Sequence, residues 1–378
     1  MKILIIDKEA KFRNGVVVYN QRLIDFLREK GHEVHILRWS NSKETEPHIT
    51  HIPYYFENEK FYLVILPTLK GLKKIRNTIK QVKPDIVYTT VGLSTFDSLI
   101  SYITHREKTP IGGILHMDAS SDKNLYQYLI KIAWVLMYLP YMKHLDFLNL
   151  FSGRIKNFFV KMGVAEQEIE VIPNGIDSSL YTPGVSEFAK KHNFKKGVLF
   201  LGRLSWQKNP EFLLKSFLKI NPDNDTKLII VGGGELYEKL SQKYKDERII
   251  FTGFIDSDKE RIDIIRSCQI FSLASRGEGL SLSQLEAMSC GLMPIVSDVG
   301  SSKDVTGDTG VSIKINNLEE DFPKELKKYL DDIDLSKKMG EKARQRIEEF
   351  YSLEKNFNKL ITALEKHIAY YKEKHKIN

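Results

Sequence analysis

The sequence predicts an α/β protein of two domains, each built on a mostly parallel, covered sheet, and three observations carry that expectation. Short β-branched runs alternate with amphipathic helical stretches through the first half. The same alternation starts again near Gly197. Between the two lies a Pro/Gly/Asn-rich stretch, Pro173-Asn174-Gly175 through Tyr181-Thr182-Pro183-Gly184, which reads as turn and linker. The 378 residues are enough for two domains of about 150 residues each. The expected division is 1–175, a linker over 176–195, a second domain over 196–352, and a closing helix over 353–378 that could dock on either domain.

In chain order, Lys2 to Asp7, Glu33 to Trp39, Asp85 to Thr90, Ile111 to Met117 and Glu168 to Ile172 read as strands of the first domain. Val18, Leu23, Ile24 and Leu27 form a helical stripe between the first two, and Gly31 is a plausible helix stop, so the chain opens with a βαβ unit. Gly197 to Leu201, Lys227 to Val231, Arg248 to Phe251, Gln269 to Leu273 and Met293 to Ser297 read as strands of the second domain. From Leu318 the sequence is helical and Lys/Glu-rich, with basic residues concentrated near the C-terminus, as the helix dipole favours. No short-period repeat appears, which argues against a solenoid.

Composition narrows the class. With 42% hydrophobic and 28% charged residues and a mean hydropathy of −0.30, the chain falls outside the disordered, collagen-like and multi-span membrane classes. Two cysteines, Cys268 and Cys290, cannot form a disulfide framework or a four-thiolate zinc site. The amino-terminal MKILIID lacks the hydrophobic region and cleavage site of a signal peptide, so a cytoplasmic setting is expected. The net charge of +8 favours an anionic partner. Nucleic acid is the weakest of the choices, because the basic residues are dispersed and no recognition motif accompanies them.

The stretch Ser275-Arg276-Gly277-Glu278-Gly279-Leu280-Ser281-Leu282-Ser283-Gln284-Leu285-Glu286 is the most informative. It places Glu278 in the loop after a strand, Glu286 on the following helix, and the N–H groups of Leu282 and Ser283 at the amino end of that helix, where phosphate binds readily. Gly202-Arg203-Leu204-Ser205-Trp206-Gln207-Lys208-Asn209 follows the first strand of the same domain and puts two cations, Arg203 and Lys208, at the same sheet edge. Together they could neutralise a diphosphate without a metal. Each feature alone is also what a solvated loop or an ordinary helix carries. His116 closes an apolar strand, either as a half-buried histidine bonded to backbone or as a functional group. No His-x-x-x-His or Cys-x-x-Cys spacing occurs, and no protein-bound metal is expected.

Taken in order, these features resemble the family 4 retaining glycosyltransferases of the two-domain GT-B fold. The resemblance runs through Gly15, Gly31-His32-Glu33-Val34, Lys83-Pro84-Asp85-Ile86-Val87, His116, Ile172-Pro173-Asn174-Gly175-Ile176-Asp177, Gly202-Arg203-Leu204 with Lys208, Val231-Gly232-Gly233-Gly234 and the paired glutamates. It implies two Rossmann-like domains whose parallel sheets face each other across a cleft. It also implies a nucleotide-diphosphate sugar as donor, with a UDP-sugar favoured and GDP-mannose open, and no metal or other cofactor. Arg203 and Lys208 match the diphosphate-binding pair, Glu286 the acid that bonds the ribose, and Glu278 the acid facing the donor sugar. Gly15 resembles the glycine that closes over the diphosphate, and His116 a histidine that faces the sugar. The chain departs from the family at Asn14, where a glycine is usual, at Leu280-Ser281 in place of Phe-Gly, and at Asp304 in place of Glu.

Two segments bear on the acceptor. Over Leu69 to Val82, Leu72, Ile75, Ile79 and Val82 share one helical face, with Lys73, Lys74, Arg76 and Lys80 on the rest. Such a helix either packs its stripe on the sheet or lies on an anionic lipid surface. Leu125 to Met142, rich in aromatics (Tyr126, Tyr128, Trp134, Tyr138, Tyr141) and holding Met137, is either core or an apolar wall beside a lipid or lipid-linked acceptor. If the acceptor is lipid, the enzyme works peripherally on the inner membrane face. The competing class is a non-catalytic nucleotide- or glycan-binding module on the same scaffold. The joint presence of Glu278, Glu286, Arg203 and Lys208 argues against it.

Overall fold

The computed structural model describes the chain except for residues 9–14, 43–45, 59–63, 93–96, 117–124 and 378, and except for the side chains of 15, 56–58, 64, 125–132 and 134. It divides into two units. One takes in Met1–Ala119, Asn124–Pro173 and Phe357–Asn378; the other contains Asn174–Asn356. Residues 176–195, the expected linker, fall within the second unit, where the side chains of Ile176 and Tyr181 are fully buried in its core.

The first unit runs β1 (Lys2–Lys8), α1 (Gly15–Glu29), β2 (Glu33–Trp39), β3 (Ile49–Ile52), β4 (Tyr54–Asn58), β5 (Val64–Pro67), α2 (Leu69–Val82), β6 (Ile86–Thr90), α3 (Asp97–Arg106), β7 (Ile111–Ile114), α4 (Leu125–Met142), β8 (Phe147–Leu150), α5 (Gly153–Lys161) and β9 (Ile169–Val171). Seven strands form one parallel sheet in the order β3-β2-β1-β6-β7-β8-β9, and β4 and β5 pair separately as an antiparallel ribbon. β7 ends at Ile114, short of the expected Met117, which lies outside the described residues.

The helices settle the readings left open by periodicity. Leu72, Ile75 and Ile79 are buried in the core of the unit, so the stripe of α2 packs on the sheet and offers no apolar face to a lipid. α4 is divided lengthwise. Val135, Tyr138, Tyr141 and Met142 are core, whereas Leu136 is 57% and Met137 48% exposed, with Ala133 and Pro140 exposed beside them. Tyr126, Tyr128 and Trp134 lie outside the described side chains. No described helix is long and apolar enough to cross a membrane.

The second unit runs α6 (Glu187–Lys191), β10 (Lys196–Leu201), α7 (Pro210–Ile220), β11 (Thr226–Val231), α8 (Tyr237–Lys243), β12 (Ile249–Gly253), α9 (Asp258–Arg266), β13 (Ile270–Leu273), α10 (Leu282–Ser289), β14 (Met293–Ser297), α11 (Ser302–Thr306), β15 (Val311–Ile313), α12 (Leu318–Asp331) and α13 (Ile333–Phe350). Its six parallel strands lie in the order β12-β11-β10-β13-β14-β15. The chain therefore leaves β10 in one direction along the sheet and β13 in the other, which opens a crevice at the carboxyl ends of those two strands. The last helix, α14 (Leu353–His375), belongs to the first unit from Phe357 onward. Its buried face, Phe357, Leu360, Leu364, Ile368 and Tyr371, follows helical spacing, and Phe357 meets Tyr19 edge-on and Phe26 at a tilt, both on α1.

Near the middle of α13, Gly340 lies directly against the carbonyl of Gly291, the residue that ends the α10 turn with a φ of 86°. A methyl group there would push the two elements apart, because the obstacle is backbone and cannot rotate away. Gly340→Ala should cost about 1–3 kcal/mol, the usual range for overpacking. Urea unfolding followed by circular dichroism should show a lower midpoint at unchanged slope; an unmoved midpoint would mean that α13 can shift without penalty.

Candidate active site

The crevice between β10 and β13 is lined by the two loops that carry the sequence-predicted cations and acids. Backbone and side-chain bonds lace these loops together. Arg276 N donates to Gln207 O at 2.8 Å, Gln207 Nε2 to Gly277 O at 2.9 Å, and Asn209 Nδ2 to Ala274 O at 3.2 Å. The Arg276 guanidinium also covers the Trp206 ring at 4.6 Å. Two loops about 70 positions apart in sequence thus form one surface.

Glu278 lies at the centre of that surface. It is 6% exposed, and both of its oxygens accept from Lys208 Nζ at 2.7 Å; Ser275 Oγ donates to Oε1 at 2.5 Å. A carboxylate this deeply buried needs such donors to offset its lost hydration. Lys208 is consequently committed to Glu278. Arg203 lies exposed on the same loop and has no ion-pair partner among the described residues. The two cations are therefore unequal: Arg203 is exposed and without an ion-pair partner among the described residues, and the charge of Lys208 is already shared.

α10 begins in the crevice. Ser281 Oγ caps it by accepting from Gln284 N at 3.4 Å, and the buried amide of Gln284 donates to Ser302 O and Thr306 Oγ1, which pins the helix to α11. The N–H groups of Leu282 and Ser283 lie in the first turn, where intrahelical partners are missing and the dipole is positive. Glu286 sits one turn further along. Tyr181 Oη donates to its Oε1 at 3.2 Å, and Arg261 Nε lies 3.6 Å from its Oε2.

Arg203, Lys208, Glu278, Glu286, Leu282 and Ser283 are thus all on the second unit, around one crevice and the helix that leaves it. Gly15 and His116 belong to the first. Gly15 opens α1; Asn14 and the turn before it lie outside the described residues. His116 follows β7 at the carboxyl edge of the first sheet, edge-on to Tyr19 at 5.1 Å and Phe151 at 5.2 Å. Its ring is half-buried, but Nε2 is sealed from solvent and has no hydrogen-bond partner among the described residues. Burial among aromatic rings pushes the imidazole down to about 3, so it is neutral near pH 7. No three His, Cys, Asp or Glu side chains are gathered as a metal cluster among the described residues.

Sequence reading missed Ser275, Gln207, Asn209, Arg276, Tyr181 and Arg261. Ser275, Gln207 and Arg276 stand inside the stretches that were singled out, but nothing in the spacing says which neighbours turn inward. Tyr181 and Arg261 lie 105 and 25 positions before Glu286, and no local pattern connects them.

His116 gives the structure a pH signature. Below about 6.5 the unfolded chain takes up its proton, and the folded chain does not do so until about pH 3. Stability contributed at neutral pH is therefore lost as the pH falls through that window, by up to about 1.4 kcal/mol per pH unit for this one site. His116→Asn should flatten the acid limb of urea-unfolding stability between about pH 7 and about pH 4.5. Parallel acid limbs for the two proteins would rule out a buried neutral imidazole.

Both halves of the chain are similar to known proteins. The Glycosyltransferase Family 4 description matches residues 13–180, and the Glycosyl transferases group 1 description matches residues 185–346. An uncharacterised glycosyltransferase of Methanocaldococcus jannaschii, MJ1069, is 31% identical over 57% of this chain and 57% of its own length. An Escherichia coli protein named UDP-Gal:alpha-D-GlcNAc-diphosphoundecaprenol alpha-1,3-galactosyltransferase is 29% identical over 52% of this chain and 54% of its own. The chain thus aligns with about half the length of these two relatives. Among solved structures, Anabaena Alr3699/HepE in complex with UDP superposes with a TM-score of 0.75 at 16% identity, covering 97% of this chain and all of that one; the same protein is also solved with UDP-glucose. With both halves matched and the fold shared along nearly its whole length, the chain belongs to the family 4, group 1 glycosyltransferases of the GT-B fold.

Proposed function

We propose that this glycosyltransferase is a retaining hexosyltransferase. It moves a hexose from a nucleotide-diphosphate sugar, with a UDP-sugar favoured over GDP-mannose, to a hydroxyl of a lipid-linked or surface glycan. The observation that carries the reading is the meeting of Arg203, the Lys208–Glu278 pair and the amino end of α10 at one switch point of the second sheet. A uridine donor is supported by the relatives: HepE holds UDP and UDP-glucose, and the E. coli protein is named for UDP-Gal.

The chemistry follows from where charge develops. The bond between the sugar's anomeric carbon and the diphosphate oxygen breaks, and its electron pair stays on the diphosphate. Arg203 and the N–H groups of Leu282 and Ser283 stabilise that negative charge as it forms, with Lys208 contributing its shared one. The acceptor oxygen bonds to the anomeric carbon from the side the diphosphate leaves, and the acceptor proton passes to the departing diphosphate. Glu278 is a poor nucleophile in this setting because Lys208 engages both of its oxygens. Its part is to hold Lys208 and to accept from the donor sugar. His116, neutral near pH 7, serves as a hydrogen-bonding group and not as an acid. Neither the residues nor the steps call for a metal.

A lipid-linked acceptor is supported by the exposed face of α4, where Leu136 and Met137 stand in the open, and by exposed Leu99 and Tyr102 on α3. Apolar faces of this kind suit an interfacial contact. The E. coli relative is named for a diphosphoundecaprenol acceptor.

Nucleoside diphosphate release should be measured from UDP-, GDP- and ADP-sugars with chelator present. Release from a uridine donor is expected to survive chelation, and Arg203→Ala should lower kcat about 100- to 1,000-fold. Measurable nucleotide binding without release from any donor, across a broad acceptor screen, would favour a binding module. A sugar trapped covalently on a side chain would exclude front-face attack.

Membrane contact is tested separately. The wild-type chain should sediment with vesicles containing anionic lipid, and Leu136→Glu with Met137→Glu should abolish that without changing release from a water-soluble acceptor assay. Equal sedimentation of both proteins would remove α4 as the contact.

A further inference from the structure

The second unit holds a cluster of side chains beside the phosphate crevice that the transfer chemistry does not use. Arg261 on α9 donates through Nη2 to Tyr181 Oη at 2.5 Å and to Asp258 Oδ1 at 2.5 Å, while its Nε faces Glu286 Oε2 at 3.6 Å. Tyr181 passes the bond onward, donating its own proton to Glu286 Oε1 at 3.2 Å. The side chains of Arg261 and Glu286 are only 17% and 14% exposed. The backbone of Tyr181 is itself fixed, its carbonyl accepting from Ser289 Oγ at 2.7 Å and from Arg344 Nη1 at 3.0 Å. Burial, reinforced by the charge of Glu286, pushes the Tyr181 phenol up, so it remains a donor at every physiological pH.

We infer that Tyr181 and Arg261 are positioning residues that set the Glu286 carboxylate for recognition of the donor's ribose hydroxyls. The inference rests on the reading of Glu286 as the ribose acceptor. Its physical content is the direction of the bonds. Arginine donates to tyrosine and tyrosine to glutamate, so each group is polarised by the one before it, and each carboxylate oxygen has its own neighbour. A glutamate on an eight-residue helix otherwise has three rotatable side-chain bonds. Here Oε1 is tied to a fully buried ring and Oε2 faces a guanidinium anchored by Asp258, which leaves the carboxylate plane one orientation. A site built to accept from a sugar hydroxyl discriminates strongly against the analogue that lacks it, provided the acceptor is held in place.

The test compares affinities of the full chain for UDP, GDP and ADP, each against its 2′-deoxy form, by titration calorimetry. The wild-type protein should prefer the ribose form of the base it binds by more than about 10-fold. Glu286→Ala should bring that ratio close to one. Tyr181→Phe, which keeps the buried ring and removes only the hydroxyl, and Arg261→Met should each reduce the ratio at least about threefold, with donor KM raised and kcat nearly unchanged. Arg261→Lys should recover part of the preference. If Glu286→Ala removes the preference while Tyr181→Phe and Arg261→Met both retain it, the positioning role is overturned and the ribose reading stands. If Glu286→Ala leaves the preference intact, the ribose reading itself fails and this inference with it. Absence of binding by all three nucleotides in the wild-type protein overturns both.

Discussion

The ion pair between Lys208 and Glu278 joins the two loops on which the candidate site is built. One loop leaves β10 and the other β13, and the sheet order sends the chain away from that point in opposite directions. A buried carboxylate between diverging loops would be costly on its own, by several kcal/mol. Lys208 and Ser275 offset that cost, and the surrounding bonds from Gln207, Asn209 and Arg276 hold the loops where the pair can form. Arg203 is then left exposed on a loop whose shape is already fixed. An exposed cation with no ion-pair partner among the described residues, at the same sheet edge as a helix amino end, suits an anion.

The first unit treats its chemistry differently. His116 stands at the matching carboxyl edge of its sheet but is packed among Tyr19 and Phe151, and burial keeps it uncharged. One unit thus presents positive charge and ordered donors, and the other a neutral imidazole in an aromatic setting. The helices around the first sheet also differ in what they expose. α2 spends its apolar stripe on the core, and α4 keeps one apolar face for the sheet and one outside it.

Much of the architecture was legible in the sequence because strand cores here are short, β-branched and buried on both faces. Glu33–Trp39 and Met293–Ser297 fall on their predicted bounds, and the other eight predicted strands overlap observed ones. The strands that escaped, β3, β4, β5, β8 and β15, are three to five residues long. Runs of that length carry too few alternations to separate from loop, and β4 and β5 pair only with each other. Helices α2 and α4 show the same limit. Periodicity gave α2 an apolar stripe and α4 an aromatic density, but which face meets the sheet depends on residues from β-strands far away in sequence.

By itself, the sequence determined the alternation of strands and helices, the presence of Arg203, Lys208, Glu278 and Glu286 in strand-following loops and the next helix, and a likeness to a family through the order of those motifs. Each depends on local spacing, which a linear chain displays directly. The tertiary structure alone decided that Lys208 pairs with Glu278 while Arg203 has no ion-pair partner among the described residues, that Tyr181 and Arg261 converge on Glu286, that burial weakens the hold of His116 on a proton, and that α2 hides its stripe while α4 shows one. These are consequences of burial and of pairing between residues tens to more than a hundred positions apart. Desolvation and hydrogen-bond direction are properties of the packed neighbourhood, and no local pattern encodes which neighbours a side chain will meet.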